Sequence, residues 1–167
     1  MNKLIILSGV PGSGKSYFCK TIKKLKNSHV YVVSSDELRR EITGSQSDLS
    51  EEKLMWKLFY SLAKTFSLDP DGIVILDATH TSSYLRVDKN KELKKLFEKV
   101  YLVMWNIDKE VVSNQNLQRE FPIPPQVLDE FFSIFELPNE KDREFFDKII
   151  MIDSSDIAPA IKELELN

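Results

Sequence analysis

The sequence of 167 residues has one cysteine, no long hydrophobic run and no excess of basic residues. Cys19 alone cannot form an intramolecular disulfide, so the chain is not a disulfide-stabilised scaffold. No stretch approaches the roughly 18 consecutive apolar residues that a membrane-spanning helix needs. The apolar run after Met1 is also too short for the core of a signal peptide. These absences predict a cytoplasmic protein.

The net charge of −3 disfavours a broad basic surface for non-specific nucleic-acid binding. Lysines nevertheless cluster in residues 20–26, and residues 86–99 hold six basic against three acidic side chains, whereas residues 136–167 are acidic. We interpret the basic runs as solvated helix faces. A short single-stranded end needs only a few phosphate contacts, so the acidity leaves such a partner open.

Five short apolar runs recur along the chain, each followed by a polar break. Continuously apolar runs are typical of strands that are buried on both faces of a parallel sheet. Helical patterns between them indicate β-α-β units. The sequence therefore predicts one α/β domain over residues 1–167, with three layers and a five-stranded parallel sheet. The predicted strands are Leu4–Leu7, Val30–Val33, Ile73–Leu76, Val100–Trp105 and Ile149–Ile152.

Apolar residues at helical spacing predict the helices. One helix follows the first strand, and a longer one with a wide apolar stripe starts near Ser50. Pro124 and Pro125 suit the first turn of another helix. The apolar residues that mark the helices are Phe18, Ile22 and Leu25; Leu54, Met55, Leu58, Phe59, Leu62 and Phe66; Leu85, Leu93, Leu96 and Phe97; Val127, Leu128, Phe131, Phe132 and Phe135; and Ile157, Ile161 and Leu164.

Residues 9–16 match the pattern G-x-x-x-x-G-K-[ST], and they lie between a predicted strand and a predicted helix. Glycines let such a loop turn its N–H groups toward phosphate oxygens, and the following helix adds its positive N-terminal end. The lysine supplies charge for the β- and γ-phosphates, and the serine supplies a hydroxyl for Mg²⁺. We therefore expect ATP and Mg²⁺ to bind at Gly9, Pro11, Gly12, Ser13, Gly14, Lys15 and Ser16.

Two carboxylates follow predicted strands. Asp77 ends the third strand, where phosphate-loop enzymes place an Asp that holds Mg²⁺ or its water. Asp36 follows the second strand, at the sheet edge where ligands bind. Two interpretations of Asp36 stay open: a helix N-cap, for which Asp is favoured, or a general base that accepts the proton of an acceptor hydroxyl.

Other candidates have structural interpretations. Cys19 lies one turn into the helix after the phosphate loop, and we predict that it is a small buried residue. The aromatic side chains between Trp56 and Phe66 share one helix, and their spacing favours the core over a platform for stacking bases.

Four blocks together resemble the 5′-polynucleotide kinase-type P-loop phosphotransferases and the small bacterial and phage ATP-binding proteins of the same AAA-like architecture. The blocks are Gly9–Ser16, Ser35-Asp36-x-x-Arg39, Asp77-Ala78-Thr79-His80, and Arg119 before a proline-containing helix. The resemblance extends from Lys3 to about Asp153. It implies a P-loop kinase fold with a small helical lid.

The resemblance also implies residue roles. Asp36 would be the general base, and Arg39 would hold a phosphate on the acceptor. Arg119 would lie in a mobile lid at about residues 110–136, over the transferring phosphate. Thr79 and His80 would contact the acceptor.

The sequence departs from the family pattern at two positions. His80 stands where relatives usually have asparagine, and Gln115 stands where they often have a first lid arginine. A histidine that titrates near neutral pH could contact the acceptor. These replacements indicate that acceptor recognition differs or that activity is low.

Three functions follow as hypotheses. The first is an ATP- and Mg²⁺-dependent kinase that acts on the 5′-OH of RNA or DNA ends. The second keeps this chemistry but uses a small molecule as acceptor: a nucleoside, a nucleotide sugar or an antibiotic. The third is an ATP-binding switch module that hydrolyses ATP slowly and signals to a partner.

Overall fold

The computed structural model describes residues 1–26 and 28–166. A five-stranded sheet in the order β2-β3-β1-β4-β5, with every pairing parallel, forms its centre. This confirms the predicted sheet. The strands are β1 (Lys3–Ser8), β2 (Val30–Ser34), β3 (Ile73–Asp77), β4 (Lys99–Trp105) and β5 (Lys148–Ile152).

Helices connect the strands and cover both faces of the sheet. The helix predicted around Leu85–Phe97 is broken into short pieces instead. The Asn90 side chain donates to the carbonyl oxygens of Leu85 and Arg86. These oxygens therefore have hydrogen-bond partners without a continuous helix. The helices are α1 (Lys15–Lys26), α2 (Ser35–Thr43), α3 (Glu52–Phe66), α4 (Ser83–Arg86), a 3₁₀ turn (Asp88–Asn90), α5 (Lys91–Lys94), α6 (Lys109–Leu117), α7 (Pro125–Ile134), α8 (Glu140–Phe145) and α9 (Ala158–Glu163).

The core lies on both faces of the sheet, because alternate residues of β1 point to opposite sides. Ile5 packs in one cluster with Phe18 of α1, and Leu4 packs in the other with Phe59 of α3. All four of these side chains are fully buried. The chain therefore forms three layers, and this arrangement explains why its strands are continuously apolar rather than alternating.

The apolar stripe of α3 is narrower than the sequence suggested. Met55, Phe59 and Ala63 are buried, whereas Leu54 and Leu58 are exposed. Residues four apart lie on one face of a helix, and only this face meets the sheet. The aromatic residues of α3 pack against this core, in agreement with their predicted role.

The carboxyl ends of the central strands lie side by side. Ser34 of β2 pairs with Asp77 of β3, and Gly9 N donates to Thr79 O at 3.0 Å just beyond β1 and β3. The segments that follow β1, β2 and β3 therefore meet at one edge of the sheet. Among the described residues, no helix is both long and apolar enough to cross a membrane.

Arg86 is an exception to the interpretation of the basic runs as solvated faces, whereas Lys89, Lys91 and Lys95 of the same run are exposed. The Arg86 side chain is fully buried and pairs with Asp142. It also donates to the carbonyls of His80 and Glu136. The residue joins the segment after β3 to the segment that follows α7.

Candidate active site

The phosphate loop connects β1 to α1, and its shape depends on glycine. Gly12 and Gly14 have φ angles of 83° and 116°, which residues with a Cβ rarely adopt. At Gly9 the limit is space, since a Cβ there would lie 2.7 Å from Ser13 Oγ and 3.2 Å from Trp105 Cβ. The sequence pattern thus corresponds to backbone geometry that other residues would strain.

Trp105 lies beneath this loop, and the sequence placed it only as the last residue of a strand. Its indole packs edge-on against Phe18, with ring centroids 5.4 Å apart, and is buried. A Cβ on Gly14 would lie 3.4 Å from its Nε1. A large aromatic residue at the end of β4 therefore packs against the loop and supports it. Because β4 is distant from the loop in sequence, the sequence did not indicate this role.

Lys15 opens α1 and is buried, and its Nζ donates to Gly9 O at 2.8 Å and Val10 O at 3.0 Å. Burial lowers its pKa, because it penalises the charged form. The nearby charges of Asp77 and Asp36 act in the opposite direction, and Arg119 adds to the lowering. Three ionisable residues predicted from separate parts of the sequence thus lie close enough to Lys15 to act on its pKa.

Asp77 carries an ionisable group in a desolvated position. Burial raises its pKa to about 6, and the charge of Lys15 opposes this shift. Ser16 is exposed at the first turn of α1. A desolvated carboxylate and an accessible hydroxyl are oxygen donors of the kind Mg²⁺ prefers, so both residues fit the ion. When bound there, Mg²⁺ would neutralise charge on the phosphates.

The N-cap interpretation of Asp36 is wrong. Ser34 caps α2 instead, since its Oγ accepts from Glu37 N at 3.3 Å, and Asp36 lies in the first turn. The Asp36 side chain is 49% exposed, and its Oδ1 accepts from Arg39 Nη1 at 2.9 Å. The carboxylate therefore remains accessible from the site, as a base must be, and that role stays a prediction.

Arg39 is held by protein groups on several sides. Its Nε and Nη2 each donate to a Glu52 carboxylate oxygen at 2.8 Å. Its Nη1 donates to Asp36 and, at 3.1 Å, to Gln46 O. The hydrogen bond to Glu52 raises the pKa of Arg39. No pattern in the sequence pointed to Glu52, which belongs to the next helix.

Arg119 lies in the loop between α6 and α7. Its Nη1 is buried and finds no hydrogen-bond partner in the described part of the chain, and Gln115 Oε1 is in the same state. Its charge also opposes the rise in the pKa of Asp77 that burial causes. An arginine N–H that lacks a partner beside Lys15 and Asp77 suits an anion such as a phosphate, and the lid role of Arg119 stays a prediction.

Asn116 stabilises this loop through two hydrogen bonds. The sequence did not indicate this role. Its Nδ2 donates to Ile123 O at 2.7 Å, and its Oδ1 accepts from Ile123 N at 2.9 Å. A Cβ on Gly12 would lie 3.6 Å from Asn116 Cα, so α6 packs directly on the phosphate loop. The buried amide thus links both ends of the segment that carries Arg119.

The prediction that His80 titrates near neutral pH is wrong. Burial lowers its pKa to about 4, and its Nδ1 lies 2.6 Å from Leu7 O. Its ring packs near Phe59 in the core, 6.3 Å between centroids. Thr79, next to it, is half-buried and uses its carbonyl to hold Gly9 N. Acceptor contacts by these two residues remain predictions.

Cys19 is buried in the core, as predicted. Burial raises the pKa of its thiol, because the thiolate would be desolvated. The residue therefore fills space behind the phosphate loop and is chemically inert at neutral pH.

Known proteins share this architecture. The family model described as "AAA domain" matches residues 4–138. Kti12 from Chaetomium thermophilum, solved with ADP-AlF3, superimposes with a TM-score of 0.70 at 18% identity, over 96% of this chain and 94% of that one. A gluconokinase from Sinorhizobium meliloti 1021 gives a TM-score of 0.65 at 18% identity, over 96% and 88%.

A fungal RNA kinase gives a TM-score of 0.61 at 14% identity, over 99% of this chain but 43% of that one. Identities this low establish a common fold only. The match over residues 4–138, together with the parallel sheet and the glycine-dependent phosphate loop, shows that this chain belongs to the AAA domain family and has the α/β fold of the P-loop kinases.

Proposed function

We propose that the protein is an ATP-dependent phosphotransferase that moves the γ-phosphate of ATP to an acceptor hydroxyl. One observation carries this proposal: at the carboxyl edge of the sheet, the charges of Asp36 and Arg119 lie close enough to Lys15 and Asp77 to act on the pKa values of both. The set contains a phosphate-binding cation, a metal-binding carboxylate, an accessible base and an arginine with an N–H that has no partner among the described residues. These are the parts that phosphoryl transfer requires.

In the proposed reaction, Asp36 accepts the proton of the acceptor hydroxyl. The acceptor oxygen forms a bond to the γ-phosphorus, and the bond from that phosphorus to the β–γ bridging oxygen breaks, which releases ADP. Lys15 and Arg119 stabilise the charge that spreads over the γ-phosphoryl oxygens. We also propose that residues 110–136 act as the lid that brings Arg119 to the phosphate.

The first candidate acceptor is the 5′-OH of an RNA or DNA end. The four blocks that resemble polynucleotide kinases support it, and a fungal RNA kinase shares the fold. Incubation with γ-labelled ATP and a short single-stranded 5′-OH oligonucleotide tests it. This candidate predicts labelled oligonucleotide from the wild type and none from Lys15→Ala. Wild-type protein that binds ATP but leaves the oligonucleotide unlabelled would exclude this acceptor.

The second candidate acceptor is a small molecule with a reactive hydroxyl, such as a nucleoside, and with no phosphate held by Arg39. The specific observation is that Arg39, the residue expected to hold an acceptor phosphate, already holds Glu52 and Asp36. A gluconokinase also shares the fold. A panel of nucleosides and sugars, assayed for ADP release, tests this candidate. We expect at least one compound to give ADP release that Asp36→Asn abolishes, and a panel without one contradicts it.

A further inference from the structure

Glu52, the first residue of α3, forms a two-pronged ion pair with Arg39. Both carboxylate oxygens accept a guanidinium N–H at 2.8 Å, one from Nε and one from Nη2. This parallel arrangement is the strongest that a guanidinium makes with a carboxylate, and it is the same one that it makes with a phosphate. Glu52 therefore occupies the face of Arg39 that an acceptor phosphate would use.

The other side of Arg39 is also occupied. A guanidinium has five N–H groups. Two point to Glu52, and the two on Nη1 bind Asp36 Oδ1 and Gln46 O. One N–H, on Nη2, is left over. A phosphate that needs two parallel N–H groups cannot bind to Arg39 in this arrangement unless Glu52 leaves.

The arrangement favours retention of Glu52. The Arg39 side chain is only 10% exposed and that of Glu52 is 32% exposed, so solvent weakens the pair less than it weakens a surface pair. Glu52 also lies in the first turn of α3, where the positive end of the helix favours a carboxylate.

We infer that Glu52 determines acceptor specificity: it fills the phosphate-binding face of Arg39, so the acceptor is a small hydroxyl compound with no phosphate beside the reacting oxygen. Arg39 is then a positioning residue that fixes Oδ1 of Asp36, while the other carboxylate oxygen receives the proton. This inference rests on the proposed phosphotransferase function, and it selects the second candidate acceptor over the first.

Binding measurements test the inference without any catalytic turnover. The full chain, labelled with ¹⁵N and saturated with Mg²⁺ and a non-hydrolysable ATP analogue, is titrated with thymidine and with thymidine 3′-monophosphate. The Arg39 Nε–H resonance is followed together with the dissociation constants. In the wild type we expect this resonance to stay in place with either compound, and no preference for the phosphorylated one.

Glu52→Gln removes the competing charge with almost no change in shape. We expect thymidine 3′-monophosphate to bind this variant about ten-fold more tightly than the wild type and to shift the Arg39 resonance, because a free guanidinium fork takes a phosphate. Glu51→Gln is the matched control, since Glu51 is the exposed preceding residue and its side chain caps nothing. This control should behave as the wild type does.

Two results would overturn the inference. In one, the phosphate shifts the Arg39 resonance of the wild type; this measurement needs no variant to fold. In the other, Glu52→Gln gains no affinity for the 3′-monophosphate. A wild type that transfers phosphate neither to the oligonucleotide nor to any compound of the acceptor panel would instead refute the proposed function, and the labelling and ADP-release assays together detect that failure separately.

Discussion

Arg86 and Asp142 form an ion pair that is completely buried on both sides. Nε and Nη2 of the arginine donate to the two carboxylate oxygens at 2.8 and 3.1 Å, and both side chains have 0% exposure. The remaining arginine donors bind main-chain oxygens, including those of His80 at 3.1 Å and Glu136 at 3.0 Å. The pair therefore ties the segment after β3 to the segment that returns from α7.

Removal of one partner should destabilise the fold strongly. We expect Asp142→Ala to lower the free energy of unfolding by about 3–5 kcal/mol, because Arg86 is left buried and uncompensated. Glu92→Ala, which removes an exposed pair with Lys95, should cost less than about 1 kcal/mol. Urea titrations of the three proteins measure both values. Equal losses in the two variants would contradict this account.

The same pair should affect stability in acid. Burial by itself would raise the pKa of Asp142, but hydrogen bonds from Arg86 and from Asn139 N outweigh it, and the pKa is lowered. Asp142 thus contributes stability above its unfolded pKa and loses it as the pH falls through the folded value. We expect wild-type stability to decline below about pH 5, and Asp142→Asn to show a shallower decline. Parallel slopes would refute the assignment.

Asp77, unlike Asp142, should lower the stability of the nucleotide-free protein while it contributes to the binding of Mg·ATP. Burial raises its pKa to about 6, so above that pH the folded protein carries a desolvated charge that costs free energy. Without nucleotide at pH 7.5, Asp77→Asn should raise the melting temperature by about 2–4 °C. It should also weaken binding of Mg·ATP.

The control for this variant is Asp71→Asn, at the opposite end of β3, where the side chain is 73% exposed. Thermal melts and nucleotide titrations should show that this change affects neither quantity. An Asp77→Asn protein that melts below the wild type would show that the carboxylate stabilises the site rather than straining it.

Asp36→Asn separates catalysis from nucleotide binding. A general base acts in the transition state, so we expect kcat to fall by about 10²–10⁴-fold while the ATP dissociation constant stays within about three-fold. Lys15→Ala should weaken ATP binding itself. If the protein is instead an ATP-driven switch, Asp36→Asn leaves function intact and only Lys15→Ala abolishes it. Calorimetry and steady-state kinetics distinguish these patterns.

Asn116→Ala should act through the position of Arg119. The change removes both hydrogen bonds to Ile123 and loosens the loop, so we expect kcat to fall by about ten-fold or more. Asn114→Ala is the control, because Asn114 is exposed on the same helix. If Arg119→Ala and the double variant reduce kcat equally, Asn116 acts only through Arg119. Additive losses would indicate a separate role.

Local patterns were enough to predict much of the architecture. The residues of one strand or of Gly9–Ser16 are contiguous, and their requirements are local: burial on two faces, or backbone angles that glycine adopts. The parallel sheet and the phosphate loop were therefore predictable. The positions of Asp36 and Asp77 beside the loop followed because the carboxyl ends of parallel strands meet at one edge.

The sequence was a weaker guide where two interpretations of the same residue were possible. Ser34 and Asp36 are both good N-caps, and only the geometry of α2 selected the serine. A histidine in a loop has no burial that can be read from its neighbours in sequence. Burial lowers the pKa of His80 to about 4, although the hydrogen bond to Leu7 O acts in the opposite direction.

The sequence by itself determined the fold class, the nucleotide loop and the list of polar residues at the carboxyl edge of the sheet. Only the tertiary structure decided which charged residues form ion pairs with other side chains. Arg39 forms an ion pair with Glu52, and Arg86 forms one with Asp142, which lies 56 residues away in sequence. A charge carries no local signal of its partner, because the pairing depends on how separate helices pack and how much water they exclude.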